Sequence, residues 1–212
     1  DFKQFQRDLI IEAQQRGGLD KISIHVCSGE ARGPRLPGGV GETIDRTWAS
    51  VCVDPMVGRA LAALESGGNP KIGTNKAGYT GLFQLGADEF ARHGKGNITD
   101  ADDNSLAAAK IAKQNIGAFR KQFGREPTVT EIYLMHQQGV SGAFAHLQNP
   151  DELAWKSMAA ASGKSDAWAK SAISGNLPSS LAGRADAMTS REFVAYWNGK
   201  VEAQLGGPAP RA

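Results

Sequence analysis

Apolar residues recur every three or four positions along most of this chain, and this helical spacing constrains its fold more than any other feature. The clearest series is Val57, Leu61 and Leu64. It is preceded by Asp54-Pro55, where Asp is a typical N-cap and Pro is favoured at the first helical position. It is followed by Gly67-Gly68, and glycine ends helices because it readily adopts the left-handed conformation. This stretch therefore predicts one complete helix.

Starting and stopping signals of the same kind predict the other helices. Two capping boxes, each a Thr followed three residues later by Glu, begin helices after Thr128 and Thr189. The first of these helices is expected to end at Gly139. Further helices are predicted at residues 2–13, at 82–93, from 103 or 104 to 123, and at 141–147. A β-like run at residues 22–26 and a loop rich in Gly and Pro at residues 28–41 complete the N-terminal part.

The predicted fold class is mainly α, with a small β element expected near residues 72–79 and extra helical segments at both ends. We expect three regions: an N-terminal helix and loop extension at 1–50, a core at 51–150, and a C-terminal helical extension that packs on the core at 151–212. The chain has 212 residues, which is long enough to bury one sizeable core.

Composition and charge argue against several functions. No apolar run approaches the roughly 20 residues that span a bilayer, and a net charge of +2 without a basic stripe predicts no nucleic-acid partner. No metal is expected, because the histidines lack ligand spacing and the cysteines do not form a Cys-x-x-Cys motif. The histidines are His25, His93, His136 and His146. No cofactor is expected either, since the glycines of residues 33–41 are not followed by the Gly-Lys-Ser/Thr of a phosphate-binding loop.

Two cysteines, Cys27 and Cys52, bear on the compartment. They form either a disulfide, which suits an oxidising compartment, or two reduced buried thiols. The sequence begins at Asp1 without a signal peptide, so either a leader has been removed or this start was chosen artificially. Targeting is therefore not read directly from the sequence.

Glu65 is the first candidate for chemistry. It lies in the last turn of the helix predicted after Asp54, where the negative end of the helix dipole disfavours a carboxylate. Apolar neighbours such as Leu61 and Leu64 disfavour the charge further by desolvation. A carboxyl that stays protonated near neutral pH is suited to general acid catalysis. Taken alone, however, this position is more typical of a solvated glutamate at a helix end.

Two neighbouring motifs strengthen the case for Glu65. They read Glu65-Ser66-Gly67-Gly68-Asn69-Pro70 and Gly81-Leu82-Phe83-Gln84. In order and separation they resemble the soluble lytic transglycosylase family, which belongs to the lysozyme-like superfamily. The resemblance implies a lysozyme-like fold and makes Glu65 the catalytic acid and base, with Ser66 supporting it through a hydrogen bond. It also implies that Gln84 holds sugar groups of the substrate, although Gln84 is also placed to bridge the backbone around Gly81. Tyr79 is a candidate for stacking on a sugar.

A third motif departs from the family pattern. Where the family has Ala-Tyr-Asn-Ala-Gly, this chain reads Met135-His136-Gln137-Gln138-Gly139. His136 therefore occupies the position of the tyrosine and Gln137 that of the asparagine, and both are expected to contact substrate. Imidazole changes its charge near neutral pH, which a phenol does not. Tyr133, one turn earlier, is expected to supply the missing phenol.

Three functions are compatible with these residues; we favour the first, and the other two stay as alternatives. A lytic transglycosylase cleaves peptidoglycan glycan strands with one acid, and residues 72–84 contain no Asp or Glu. A muramidase needs a second carboxylate, for which the candidates are Asp88, Glu89, Asp100, Asp102 and Asp103. A peptidoglycan-binding part of a larger cell-envelope or phage assembly would need little turnover. All three imply export to the periplasm or cell envelope, or a place in a virion.

Overall fold

A computed structural model describes residues 33–206 of the protein, and these residues are mainly helical. This agrees with the predicted fold class. The helices of the described residues are α1 (Val40–Ser50), α2 (Pro55–Ser66), α3 (Ala87–His93), α4 (Ala101–Phe123), α5 (Val129–Gln148), α6 (Ala154–Ser162), α7 (Asp166–Gly175), α8 (Ser179–Ala182) and α9 (Ser190–Gln204). None of them combines the length and the apolar character required to cross a membrane.

Helix α1 was not predicted from the sequence. Residues 40 and 41 were assigned to a loop because glycines surround them, yet Gly39 serves as the N-cap and the helix begins at Val40. Ile44 and Trp48 are fully buried on its inner face, against α2 and α4. The region boundary predicted at residue 50 therefore does not mark a break in the hydrophobic core. The predicted helix at 2–13 and the run at 22–26 lie outside the described residues.

The predicted boundaries of α2 are confirmed. The Asp54 carboxylate accepts a hydrogen bond of 2.9 Å from the Met56 amide, and Pro55 is the first helical residue. Gly67 ends the helix in the left-handed conformation, with a φ of 63°. Cys52, just before this helix, is disulfide-bonded, which favours the disulfide alternative; Cys27 lies outside the described residues.

The segment between α2 and α3 differs from prediction. No strand forms at residues 72–79; the short β contact is a single antiparallel bridge between Thr80 and Leu85. Helix α3 begins at Ala87 rather than at residue 82, because Gln84 has a φ of 46°, which interrupts a helix. Residues 80–86 thus form a tight turn.

Helix α4 begins earlier than predicted. The side chain of Asp100 caps it by accepting from the amides of Asp102 and Asp103, so Asn104 lies inside the first turn instead of at the start. Gly124 ends α4 as expected. The capping box of Thr128 begins α5, and Gly139 kinks that helix with a φ of 71° and a ψ of 162°. The predicted end at Gly139 and restart near residue 141 correspond to this kink.

The C-terminal helices take part in the core. The capping box at Thr189 begins α9 as predicted, and the buried Phe193 and Val201 lie on the inner face of that helix. Helix α9 packs on α5 and α2, while α6 and α7 pack against each other. The residues beyond 150 therefore pack against the helix that carries Glu65.

Candidate active site

A cleft of about 630 Å³ opens beside the C-terminal end of α2. Glu65 lies in it with 17% of its side chain exposed. Five of the predicted substrate-binding residues also line it: Tyr79, Gln84, Tyr133, His136 and Gln137. The structure therefore brings together residues from three separate motifs, between positions 65 and 137 of the sequence.

The environment of Glu65 raises the pKa of its carboxyl. Burial is the main cause, because desolvation penalises the charged form. Two neighbours oppose it: a positive charge on His136 and a hydrogen bond from the Tyr133 hydroxyl both favour the carboxylate. Glu65 is thus a carboxyl that holds its proton more tightly than an exposed glutamate, with groups beside it that stabilise the charge once the proton leaves.

His136 approaches Glu65 through a ring nitrogen whose hydrogen-bonding role is determined by geometry. Its Nε2 atom lies 3.0 Å from the carbonyl oxygen of Phe83 and 3.8 Å from Oε1 of Glu65. A carbonyl oxygen only accepts hydrogen bonds, so Nε2 carries a proton and donates it to Phe83. His136 therefore does not take the proton of Glu65 through this nitrogen; the N–H is donated to Phe83, and at 3.8 Å the ring acts on the carboxyl through its charge and not through a hydrogen bond.

A chain of hydrogen bonds orients the Tyr133 hydroxyl. Gln138 donates to the side-chain oxygen of Gln137 at 2.9 Å, and Gln137 donates to the Tyr133 hydroxyl oxygen at 3.2 Å. Because the hydroxyl oxygen accepts from Gln137, its own proton is available for Glu65. Burial, together with the charge of Glu65 and the hydrogen bond to it, raises the pKa of Tyr133, so the phenol remains a donor. Tyr133, which was expected to supply a phenol in place of the residue at position 136, does contact Glu65.

Gln84 has two roles. Its Nε2 donates to the Gly81 carbonyl at 2.9 Å, which is the backbone bridge considered from sequence, and its Oε1 accepts from Nδ2 of Asn75 at 2.9 Å. A primary amide has two donor hydrogens and two acceptor lone pairs. One of each remains for a ligand in the cleft.

Asn75 lines the cleft but was not identified from the sequence. Its side-chain oxygen accepts from the amides of Ala77 and Tyr79, at 2.8 and 3.1 Å. These bonds fold the loop around the Asn75 side chain and hold Tyr79, which is 47% exposed, at the cleft. An Asn that precedes a Gly-containing turn is a typical local signal of such a loop.

The hydrogen bond predicted from Ser66 to Glu65 is replaced by another one in the structure. Its hydroxyl donates to the carbonyl of Ala62 at 3.1 Å, one helical turn back, so its proton is not directed at Glu65. Ser66 also does not line the cleft. A serine in the last turn of a helix satisfies its hydroxyl locally, and this local bond replaces the predicted contact.

The C-terminal helices supply one wall of the cleft. Tyr196 and Trp197 of α9 line it, and Trp197 stacks on Tyr133 with ring centroids 5.2 Å apart. Residues around the end of α7 complete the wall: Ser171, Ala172, Gly175, Asn176, Leu177 and Pro178. The helical spacing of Phe193, Trp197 and Val201 predicted a packing face, but nothing local indicated that Trp197 faces a cleft.

One further carboxylate lines the cleft. Of the five acidic candidates for a second carboxylate, Glu89 on α3 is the one that reaches it. Asp100 caps α4, and Asp102 pairs with Arg46 at 2.6 Å. Asp103 accepts from the Asn97 amide at 2.8 Å, and Asp88 is exposed.

Within residues 33–206, no cluster of three or more His, Cys, Asp or Glu side chains is arranged to hold a metal ion. No protein-family model matches the chain, and no curated protein matches it significantly. The geometry of the cleft is therefore what bears on function.

Proposed function

We propose that the protein is a peptidoglycan lytic transglycosylase with a lysozyme-like fold. One observation carries the proposal: the buried carboxyl of Glu65, with a raised pKa, opens on a cleft together with Gln84, Tyr133 and His136. A carboxyl of this kind donates a proton to the oxygen of a glycosidic bond. The substrate is then the β-1,4 bond between MurNAc and GlcNAc, and the protein acts in the periplasm or cell envelope, or in a virion.

The reaction uses Glu65 twice. Its proton passes to the bridging oxygen as the bond between that oxygen and C1 of MurNAc breaks. The resulting carboxylate, which accepts from the Tyr133 hydroxyl and lies 3.8 Å from Nε2 of His136, takes the proton of the MurNAc C6 hydroxyl. The C6 oxygen bonds to C1, which gives a 1,6-anhydro end and returns the proton to Glu65.

A second candidate function is hydrolysis, and Glu89 favours it specifically. A muramidase uses two carboxyls that flank the bond, one as acid and the other as base or nucleophile. Glu89 lines the same cleft as Glu65 and is half-buried. In that reaction water replaces the C6 hydroxyl, and the product has a reducing end.

The nature of the product decides between these reactions. Purified peptidoglycan is incubated with the protein, and the released muropeptides are analysed by mass spectrometry. Anhydro ends support the transglycosylase. Reducing ends that disappear in a Glu89→Gln variant support the muramidase. Peptidoglycan that binds without release of fragments supports a binding role in a larger assembly and overturns both enzymatic proposals.

The role of Glu65 is tested in the same assay. We expect Glu65→Gln to lower the rate of release by at least about 100-fold, because the amide has no proton to donate. Glu42→Gln is the matched control, since Glu42 is exposed on α1 and does not line the cleft. Its activity should equal that of the wild type. Full activity of Glu65→Gln would refute the assignment of Glu65 as the acid.

A further inference from the structure

Asn104 is a buried polar side chain that contacts the tight turn of residues 80–86 beside the cleft. It is fully buried in the first turn of α4. Its Oδ1 accepts from the Phe83 amide at 2.8 Å, and its Nδ2 donates to the carbonyls of Thr80 and Ile98, at 3.1 and 2.9 Å. One side chain thus uses both ends of its amide to hold residues 80–83 in place.

The contact between Asn104 and this turn is close. Gly81 has a φ of 80°, and a Cβ atom at this position would lie 2.5 Å from Nδ2 of Asn104 and 2.7 Å from the Ile98 oxygen. No side chain fits in that space. The backbone of the turn is therefore in direct contact with the Asn104 amide, which fixes the position of the turn.

Phe83 connects Asn104 with the active site. Its amide is held by Asn104, its ring is buried against Trp48, and its carbonyl oxygen accepts from Nε2 of His136. His136 in turn lies 3.8 Å from Glu65. Three consecutive contacts therefore link the buried Asn104 to the carboxyl of Glu65.

We propose that Asn104 is a positioning residue for the active site: by holding Phe83, it keeps the Phe83 carbonyl where it binds the Nε2 proton of His136, and so fixes the tautomer of His136 and the position of its ring beside Glu65. The effect on His136 follows from the contacts alone, whereas the effect on turnover rests on the proposed function. The other ionisable groups that line the cleft with Glu65 are Tyr79, Glu89, Tyr133 and Tyr196. None of them is in the series of contacts from Asn104 to His136.

The histidine ring nitrogens report this role directly. In the full chain labelled with ¹⁵N at histidine, a long-range ¹H–¹⁵N correlation spectrum distinguishes protonated from unprotonated ring nitrogens. The His136 signals are identified by their loss in His136→Gln. We expect the wild type to show His136 as the Nε2–H tautomer, and Asn104→Ala to show a mixture with the Nδ1–H tautomer. We also expect the Glu65 carboxyl, followed by ¹³C labelling, to titrate at higher pH in Asn104→Ala.

The matched control is Asn115→Ala, which truncates another buried asparagine of α4 that does not line the cleft. Its His136 signals and its Glu65 titration should equal those of the wild type even if it melts at a lower temperature. Unchanged His136 signals in folded Asn104→Ala would overturn the inference. If Asn104→Ala does not fold, the wild type still decides: an Nδ1–H tautomer at His136 overturns the inference, and an Nε2–H tautomer with a slowly exchanging Phe83 amide supports it.

The failure of this inference is distinguishable from the failure of the proposed function. If the wild type releases muropeptides, Asn104→Ala should lower kcat by about 10- to 100-fold, as expected for a misplaced catalytic geometry. If the wild type releases none, the histidine spectra still test the link from Asn104 to His136. Release by the wild type together with unchanged spectra in Asn104→Ala would remove the inference and leave the proposed function standing.

Discussion

At the scale of single residues, the protonation of Glu65 depends on burial and on two neighbouring side chains. Burial holds the proton on the carboxyl, while Tyr133 and a charged His136 favour its release. In the proposed reaction, these opposing effects suit a group that acts first as an acid and then as a base. His136 donates its Nε2 proton to Phe83, so this nitrogen does not take the proton of Glu65.

The raised pKa of Glu65 predicts how stability depends on pH. Because the folded protein holds this proton more tightly than the unfolded chain, the associated stability is fully present below 4.5, the usual pKa of a glutamate. It is lost as the pH rises from there through the pKa of the folded state. Glu65→Gln does not undergo this loss. Its free energy of unfolding relative to the wild type should therefore increase across that interval and then level off.

Urea titrations of both proteins at a series of pH values measure this difference. A difference that stays constant across this pH range would mean that burial does not perturb Glu65.

At the scale of elements, the kink of α5 divides that helix at the end of the active-site motif. Gly139 has φ and ψ values that only glycine adopts readily, and the turn before it carries Tyr133, His136 and Gln137. The kink ends the regular helix directly after these residues.

Backbone strain at Gly139 is testable with a matched pair of variants. An added Cβ meets no atom within 4 Å at Gly139 or at Gly117 of α4, and both glycines are exposed. Gly139→Ala should cost about 1–3 kcal/mol of stability through its backbone conformation alone. Gly117→Ala, in a regular helix, should instead stabilise by about 0.5–1 kcal/mol. Thermal and urea unfolding measure both; equal effects would contradict the strain at Gly139.

At the scale of the whole molecule, one hydrophobic core extends through helices from both ends of the described residues. Ile44 and Trp48 of α1, Ile173 of α7 and Phe193 of α9 are all fully buried. One wall of the cleft comes from residues beyond 170. The core therefore includes side chains from before residue 50 and from beyond residue 150.

A truncation tests this organisation. A chain of residues 1–150 loses Ile173, Phe193 and Val201 from the core and Trp197 from the cleft. Loss of several buried large side chains costs about 2–5 kcal/mol for each, which is comparable with the total stability of a domain. We expect residues 1–150 to show no cooperative thermal transition by circular dichroism, whereas the full chain unfolds cooperatively. A cooperative transition of residues 1–150 would show that the C-terminal helices are dispensable.

The sequence by itself determined the ends of most helices and the position of Glu65 at one of them. Asp54-Pro55, the two capping boxes and Gly67 are confirmed because each acts through hydrogen bonds between residues at most a few positions apart. The predictions for residues 40–50 and for the start of α3 were wrong for the same physical reason, which is that contacts formed in the folded structure outweighed local preferences. Burial of Trp48 outweighed the local preference of the glycines, and the left-handed Gln84 depends on contacts with Asn75 and Gly81.

Only the tertiary structure decided the chemistry of the cleft. Desolvation of Glu65 depends on packing around it, and the donor role of His136 depends on Phe83, which is 53 residues away in sequence. The buried bonds of Asn104 and the wall of Trp197 are likewise formed between distant segments. Local patterns encode backbone hydrogen bonds between near neighbours, but a shifted pKa reports the charges and the solvent around a group, which exist only after the helices have packed.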